Sequence, residues 1–220
     1  MPERGLEVVA AAALFDSDGV LVDSADSLRR TVAVWAAGHG IDAEHAFRRW
    51  HGRRAVDVIA ELLPHIDADA EDARYEDLEV ADAVTVTAIP GAVDLVGTPG
   101  LRWAIVTGCS RRLATARLGA AGIPLPDVVI TGDVLDAGKP DPEGYVLAAE
   151  RLGVRPEACV VIEDADAGVE AGLAAGCHVL AYGGLVTIEH PRVTLVRQLA
   201  DLRLDTASGN STVLVRSQDR

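Results

Sequence analysis

Short runs of apolar residues recur along the chain and predict the strands of a sheet. They are rich in Val, Ile and Ala, and segments of helix length separate them. The runs are continuous and do not alternate with polar residues, which is typical of strands that are covered on both faces and joined by helical crossovers. We therefore predict an α/β fold in which a parallel sheet is flanked by helices. The predicted strands are residues 8–15, 103–106, 128–130, 160–162 and 179–182.

The segments between the later strands carry the start and stop signals of helices. Each is followed by a glycine, and the second begins with a proline in its first turn. Proline suits the first turn because its missing N–H has no intrahelical partner there, and glycine suits the position after a helix. The predicted helices are residues 110–121, 142–152 and 167–175.

Residues 23–88 interrupt this alternation of strands and helices. They contain no clear strand, and the pattern predicts several helices with turns near residues 38–40, 51–52 and Pro64. A helical block after the first strand indicates an inserted cap domain. We therefore predict a sheet core from residues 1–22 and 89–205, a cap from residues 23–88 and a return hinge at Pro90-Gly91. Residues 206–220 are predicted to be a polar, mobile tail, in which residues 212–215 are a candidate edge strand.

The composition narrows the range of partners. A hydrophobic content of 49% allows a sizeable core, and a formal net charge of -14 argues against nucleic acid or an anionic membrane surface. No apolar run approaches the ~20 residues that span a membrane, and the N-terminal segment lacks a signal-peptide pattern. The three cysteines are far apart and predict neither a disulfide framework nor a zinc cluster. We expect the reducing cytoplasm as the compartment.

Side chains that can bind a metal or react with a substrate follow several of the predicted strands. The first strand runs into Asp16 and Asp18, which are separated by one residue and followed by a glycine. Buried carboxylates are unfavourable unless they are paired or bind a metal, so this pair predicts a divalent-cation site with a potential nucleophilic aspartate. The carboxyl ends of parallel strands meet at one edge of a sheet. The other residues expected at this edge are Thr107, Gly108, Lys139, Glu163 and Asp164.

These groups suit a phosphoryl unit together with Mg²⁺. Carboxylates are the hard oxygen ligands that Mg²⁺ prefers, and a hydroxyl, backbone N–H groups and a lysine bind phosphate oxygens. Taken singly, Asp-x-Asp-Gly also occurs in turns and calcium-like loops, and Lys139 is a typical solvated surface charge. The order of the four elements, each after a strand, favours the joint interpretation. A small phosphorylated metabolite is therefore the expected partner.

The four segments that carry these residues resemble the motifs of the haloacid dehalogenase superfamily of phosphohydrolases. They are residues 15–24, 105–108, 138–142 and 161–165, and the resemblance extends from Val8 to about Gly184. It is greatest to the subgroup with a helical cap after the first motif, which includes sugar-phosphate phosphatases and β-phosphoglucomutase. The resemblance implies a Rossmann-like core. It also implies Mg²⁺-dependent hydrolysis of small phosphomonoesters, sugar or polyol phosphates among them, through an aspartyl-phosphate.

The same resemblance implies a role for each motif residue. Asp16 would be the nucleophile, and Asp18 would protonate the leaving group and then activate water. Thr107, Gly108 and Lys139 would bind the phosphoryl oxygens. The metal ligands implied are Asp16, the backbone carbonyl of Asp18, Asp164 and, directly or through water, Glu163.

The cap segment His51-Gly52-Arg53-Arg54 resembles the loop with which this subgroup contacts its substrate. Gly52 would let the backbone approach the substrate closely. We favour Arg53 over Arg54 as the charged contact because Arg53 follows Gly52 directly. The alternative is that both arginines are solvated charges at a helix start.

Three other functions are weighed against hydrolysis. β-Phosphoglucomutase-like proteins carry a histidine about twelve positions after the nucleophile, where this chain has Leu28. A haloacid dehalogenase is expected to lack the second aspartate, Asp18. A signalling receiver module, from a different class, also places acids, a threonine and a lysine around Mg²⁺, but it is shorter and has no helical insert. These differences favour a phosphatase.

Overall fold

The computed structural model of the protein describes residues 7–50, 53–202, 204 and 213–216. Its strands are β1 (Glu7–Ala10), β2 (Ala12–Phe15), β3 (Val22–Asp23), β4 (Thr87–Ala88), β5 (Trp103–Val106), β6 (Val128–Ile130), β7 (Cys159–Glu163), β8 (His178–Tyr182), β9 (Val193–Val196) and β10 (Val213–Arg216). Its α-helices are α1 (Ala25–His39), α2 (Ala43–Trp50), α3 (Ala55–Leu62), α4 (Ala68–Asp82), α5 (Ala92–Val96), α6 (Arg111–Ala120), α7 (Glu143–Arg151) and α8 (Asp166–Ala174).

The main sheet has six strands in the order β6-β5-β2-β7-β8-β9, and every neighbouring pair is parallel. The predicted α/β fold is confirmed, and β5 and β6 have the predicted bounds. Strand β9 was not predicted. The chain builds the sheet outwards from β2 in both directions, first through β5 and β6 and then through β7, β8 and β9. Such a reversal leaves a crevice beyond the carboxyl end of the central strand.

The prediction of one strand over residues 8–15 is wrong. The backbone bends at Ala11, whose N–H donates to the carbonyl of Ala158, and it divides the segment into β1 and β2. Only β2 belongs to the main sheet, whereas β1 pairs antiparallel with β10. The predicted strand over residues 212–215 therefore exists as β10 but lies in this separate ribbon, and most of the predicted mobile tail lies outside the described residues.

The core occupies both faces of the main sheet because successive side chains of a strand point to opposite sides. From β2, Phe15 joins one buried cluster with Ile105 and Ile162. Leu14 joins the cluster on the other face, where Tyr145 of α7 is also fully buried. Burial of both faces explains why the predicted strands lack polar positions.

The helices between the strands lie close to their predicted bounds. Helix α6 begins after Ser110, whose Oγ accepts a hydrogen bond from the backbone N–H of Leu113 at 3.1 Å. This side-chain cap satisfies a backbone donor that has no partner within the helix. The cap thereby fixes the start of α6 directly beyond the end of β5, where the predicted phosphate-binding residues lie.

The insert between β3 and β4 contains α1, α2, α3 and α4 and has its own hydrophobic cluster, in which Trp35, Trp50 and Tyr75 pack together. Strands β3 and β4, which the sequence did not predict, pair antiparallel at its base, with Val22 opposite Ala88. The chain therefore leaves and re-enters the core through one two-stranded stem. We call residues 23–88 the cap. Within the described part of the chain, no helix is long and apolar enough to cross a membrane.

Candidate active site

The ends of three neighbouring strands bring the predicted residues to one edge of the sheet. Asp16 follows β2, Thr107 follows β5, and Glu163 is the last residue of β7. The backbone N–H of Asp16 donates to the carbonyl of Ile162 at 3.0 Å, which fixes Asp16 beside Glu163. The parallel register therefore creates a cluster of acids from segments that are far apart in sequence.

Lys139 is the cation at the centre of this cluster. Its ammonium contacts one carboxylate oxygen of Asp16 and one of Glu163, and it donates to the carbonyl of Val106 at 3.2 Å. Burial opposes the charged form of Lys139, but the two carboxylates outweigh it and raise its pKa. The lysine therefore stays protonated and provides a fixed positive charge next to Asp16.

Glu163 is held by several donors at once. Its Oε1 accepts from the Tyr145 hydroxyl at 2.6 Å in addition to the lysine, and its Oε2 accepts from the backbone N–H of Asp164 at 3.2 Å. A carboxylate with this many partners has little freedom to rotate. Glu163 is therefore suited to orienting Lys139 and its acidic neighbours.

One Lys139 charge does not balance the acids around it. Asp16, Glu163 and Asp164 each offer a carboxylate oxygen, and these oxygens lie within 4.8 Å of one another. Burial, reinforced by Glu163, raises the pKa of Asp164 to about 7. Burial also raises the pKa of Asp16, together with the charges of Glu163 and Asp164 and against the effect of Lys139. Close-packed oxygen ligands whose negative charge is incompletely compensated fit a hard divalent cation.

Gly19 is required by the position of Asp164. Its φ of +86° lies in the region that favours glycine, and a Cβ atom there would overlap the Asp164 carboxylate. The Asp-x-Asp-Gly pattern thus has a steric explanation, because the turn after β2 passes directly against an acid that follows β7.

Asp18 faces away from this cluster in the structure. Its Oδ1 accepts from Nη1 of Arg117 at 2.9 Å, and its Oδ2 accepts from Sγ of Cys109 at 3.2 Å. Asp18 is therefore near the site, but its carboxylate is directed towards α6. Sequence reasoning missed Arg117 and its second partner, Glu79, because a single arginine within a helix gives no signal of its tertiary partners.

The predicted phosphate-binding residues surround the cavity beyond the strand ends. Thr107 is buried, and its Oγ1 accepts from the backbone N–H of Cys109 at 3.2 Å, so the Thr107-Gly108-Cys109 turn is internally braced. Thr107, Gly108 and Lys139 all line one cavity with Asp16. Cys109 borders the same cavity.

The cap arginines have different surroundings. Arg53 pairs with Glu61 on the cap at 2.9 Å. Arg54 forms two bonds with Asp57 at 2.9 and 3.0 Å, and its Nη1 reaches the Leu135 carbonyl of the core at 3.5 Å. His51 and Gly52 lie outside the described residues. Both arginines line the cavity, and Arg54 in addition reaches loops of the core.

A cavity of about 860 Å³ lies between the cap and the core. Among the described residues that line it, ten carry carboxylates and five are arginine or lysine. An anionic substrate would be repelled by this excess of negative charge unless a cation accompanied it. The charge balance of the cavity therefore agrees with a metal site at the acid cluster.

The parallel sheet with helices on both faces is a Rossmann-like core, and the aspartate–lysine site lies at its strand ends. Similarity to named phosphatases identifies the chain as a phosphoric monoester hydrolase. The chain belongs to the haloacid dehalogenase-like hydrolases, whose sequence model matches residues 10–176.

Individual relatives agree with this family. Hexitol phosphatase A of Escherichia coli (strain K12) is 42% identical over 174 residues, which cover 76% of this chain and 81% of the relative. Glycerol-1-phosphate phosphohydrolase 2 of Saccharomyces cerevisiae is 32% identical, over 80% of this chain and 76% of the relative. Among solved structures, CbbY from Rhodobacter sphaeroides in complex with xylulose-1,5-bisphosphate has a TM-score of 0.77 at 26% identity, over 88% of this chain and 96% of that one.

Proposed function

We propose that the protein is a Mg²⁺-dependent phosphatase of small sugar or polyol phosphates that works through an aspartyl-phosphate on Asp16. The observation that carries the proposal is the partly buried Lys139 ammonium between Asp16 and Glu163, at the point where three acids converge. The names of the relatives, a hexitol phosphatase and a glycerol-1-phosphate phosphohydrolase, support the substrate class.

In the first step, an oxygen of Asp16 attacks phosphorus and the bond from phosphorus to the substrate oxygen breaks. The leaving alkoxide takes a proton from Asp18, so the alcohol departs neutral. Lys139 remains beside Asp16 and offsets the charge of the approaching phosphoryl group. Asp16, the Asp18 carbonyl and Asp164, with Glu163 in support, would hold a divalent cation, which would supply further positive charge for the phosphoryl oxygens.

In the second step, Asp18 accepts a proton from a water molecule, whose oxygen attacks the same phosphorus. The bond from phosphorus to Asp16 breaks, phosphate leaves, and both carboxyl groups return to their starting states. Thr107 and the backbone at Gly108 hold phosphoryl oxygens during both steps. For either proton transfer, the Asp18 carboxylate must turn from α6 towards the phosphorus.

A phosphomutase is the nearest alternative within this family. The cavity wall has Leu28 where the mutase-like proteins carry a histidine, and leucine cannot exchange protons. Water is then the acceptor of the phosphoryl group. The helical cap argues against a receiver module, since the cap closes over the site that a protein partner would have to reach.

The experiment is a panel of phosphate esters assayed for release of inorganic phosphate, with Mg²⁺ and with a chelator. It includes hexitol, aldose and glycerol phosphates, with phosphoserine and a nucleoside monophosphate for comparison. We expect release from polyol or sugar phosphates with Mg²⁺, loss of release in chelator and recovery when Mg²⁺ is restored. Full turnover in chelator with no bound metal would contradict the metal requirement. Isomerised phosphosugar without free phosphate would indicate a mutase.

A further inference from the structure

A buried arginine joins the predicted acid–base residue to the cap. Arg117 lies on α6, and only 3% of its surface is exposed. Its Nη1 donates to Asp18 Oδ1 at 2.9 Å and contacts Cys109 Sγ at 3.3 Å, while its Nη2 donates to Glu79 Oε1 at 2.8 Å. Asp18 belongs to the core and Glu79 to α4 of the cap. One guanidinium therefore bridges a residue of the proposed chemistry and a residue of the cap.

The guanidinium of an arginine suits this bridge. A guanidinium presents several N–H groups in a planar fork, so it binds two carboxylates in fixed directions, whereas an ammonium is a single point charge. Burial of a charge is strongly unfavourable without partners. Arg117 Nε has no partner within the described structure, so the two Nη groups provide the compensation.

The other side-chain contacts that join α4 to α6 and its N-cap residue differ from this bridge. Arg112 pairs with Asp77 at 2.7 Å, and both side chains are more than half exposed. Ser110 contacts Glu76 at the start of α6. These contacts hold the cap helix against the core helix without touching Asp16 or Asp18. They provide a matched comparison for a contact that reaches the proposed acid–base residue.

We propose that Arg117 is a positioning residue that holds Asp18 on the α6 side of the site and releases it for proton transfer with the help of Glu79. The inference rests on the proposed phosphatase function. When Asp18 turns towards phosphorus it leaves Arg117, and a buried guanidinium without a partner would be unfavourable. Glu79 keeps that charge compensated and thereby makes the rotation of Asp18 easier. Because Glu79 belongs to the cap, the cap position influences when Asp18 is available.

The proposal predicts specific kinetic changes. Arg117→Met should lower kcat for a hexitol phosphate by about tenfold to a hundredfold, a part of the usual contribution of a positioned acid or base, with KM changed less than about twofold. Without Arg117, no hydrogen bond from the guanidinium keeps Asp18 in one orientation beside the site, so Asp18 is less often in the position from which it turns to phosphorus. Above about pH 7, where the Glu79 carboxylate is ionised, Glu79→Gln should also lower kcat, because Asp18 remains more tightly bound to Arg117. In the Arg117→Met background, Glu79→Gln should have no further effect, since it acts through the guanidinium.

A second substrate separates positioning from a general loss of structure. The leaving group of para-nitrophenyl phosphate needs little protonation, so Arg117→Met should form the phosphoenzyme normally but hydrolyse it slowly. Rapid mixing should then reveal a burst of nitrophenol that the wild type lacks. If Arg117 had only a structural role, its loss would lower kcat for both substrates in proportion to the folded fraction and would give no burst. If Arg117→Met does not fold, Arg117→Lys replaces it with the same readouts, because it keeps the charge but not the fork.

Arg112→Met is the control, since it removes the exposed pair between the same helices, and we expect its kcat and KM to equal those of the wild type. The inference is overturned if Arg117→Met or Arg117→Lys has the same kcat and the same amplitude of the nitrophenol burst as Arg112→Met. It is also overturned if Glu79→Gln retains its full effect without Arg117. A wild type that releases no phosphate from any ester would instead reject the proposed function.

Discussion

At the scale of single residues, the clearest question is which cap arginine contacts the substrate. Arg53 is bonded to Glu61 on the cap, whereas the Arg54 side chain approaches Gly138 and reaches the Leu135 carbonyl of the core. The geometry therefore moves our preference from Arg53 to Arg54. Asp57 fixes the Arg54 guanidinium by two hydrogen bonds, so it is held ready beside the cavity.

We predict that Arg54→Ala lowers kcat/KM for a hexitol phosphate by about tenfold or more. The loss for para-nitrophenyl phosphate should be much smaller, because remote binding energy helps only substrates that have groups to contact. Arg53→Ala is the matched control, and its kcat/KM for both substrates should stay within about twofold of the wild-type values. Steady-state kinetics with the two substrates provide the measurement. Equal losses for both substrates, or a larger loss for Arg53→Ala, would reject this assignment.

Residue types and spacing predicted Asp16, Lys139, Glu163 and Asp164 as neighbours because a parallel sheet gathers the ends of its strands. Arg117 was not predictable in this way. It lies in a helix that also contains Arg111 and Arg112, and only the packing of α4 on α6 distinguishes the buried arginine from the exposed ones. The orientation of Asp18 likewise depends on that packing and not on the motif around it.

At the scale of secondary-structure elements, the close approach of α8 to β7 supports the acid cluster. A Cβ atom on Gly168 of α8 would overlap the carboxylate of Glu163, which holds Lys139. Gly119 of α6 provides a contrast, because a Cβ atom there would meet no other described side chain within 4 Å. The two helical glycines therefore differ in what surrounds them.

We predict that Gly168→Ala lowers the free energy of unfolding by about 1–3 kcal/mol through overpacking and raises the Mg²⁺ concentration needed for half-maximal activity. Gly119→Ala should leave activity unchanged and stabilise the protein by up to about 1 kcal/mol, because alanine favours helix. Urea denaturation and Mg²⁺ titration of both variants provide the measurements. The same stability and Mg²⁺ dependence in Gly168→Ala and Gly119→Ala would contradict the steric explanation.

The contact between α4 and α6 also predicts a dependence of stability on pH. Burial raises the pKa of Glu79 to about 7, because Arg117 compensates it only in part and Asp18 and Asp72 add negative charge nearby. The ordinary value is 4.5, so between these values the folded protein binds a proton that the unfolded chain has released. The contribution of Glu79 to the free energy of unfolding therefore decreases as pH rises through this window.

We expect the free energy of unfolding of the wild type, relative to Glu79→Gln, to fall between about pH 4.5 and about pH 7 by an amount on the order of 1–3 kcal/mol. The variant lacks this titration and is the reference. Urea denaturation at several pH values across the window measures the difference. A difference that is constant, or that increases with pH, would show that Glu79 titrates below the window.

The strands illustrate which elements a sequence pattern defines. Residues 103–106 and 128–130 were predicted with their observed bounds because both are short, fully apolar and followed by turns. The apolar run over residues 8–15 concealed the bend at Ala11, since a continuous run carries no signal of where pairing changes. Strand β9 was missed because Thr194 and the flanking Arg192 and Arg197 leave no continuous apolar run. In both segments, the bounds of the strands depend on which strands pair with them and not on their composition.

At the scale of the whole molecule, an acidic chain carries an acidic cavity and yet belongs to a family of phosphohydrolases. The formal net charge is -14, and carboxylates outnumber cationic side chains in the described lining of the cavity. The cationic centre that accepts phosphate must therefore be local. Lys139, together with the cation that we propose at Asp16 and Asp164, forms such a centre between the cap and the sheet.

The most direct test of the proposed chemistry is to identify the atom that receives the phosphoryl group. The Asp18→Asn variant lacks the base for the second step, so the phosphoenzyme should accumulate when it is mixed with para-nitrophenyl phosphate and Mg²⁺. After an acid quench and peptide mapping by mass spectrometry, we predict one added phosphoryl group on the peptide that contains Asp16, and none in Asp16→Asn. Phosphate release by the wild type, with no phosphorylated Asp16 in the trapped variant or with undiminished turnover by Asp16→Asn, would contradict the covalent mechanism.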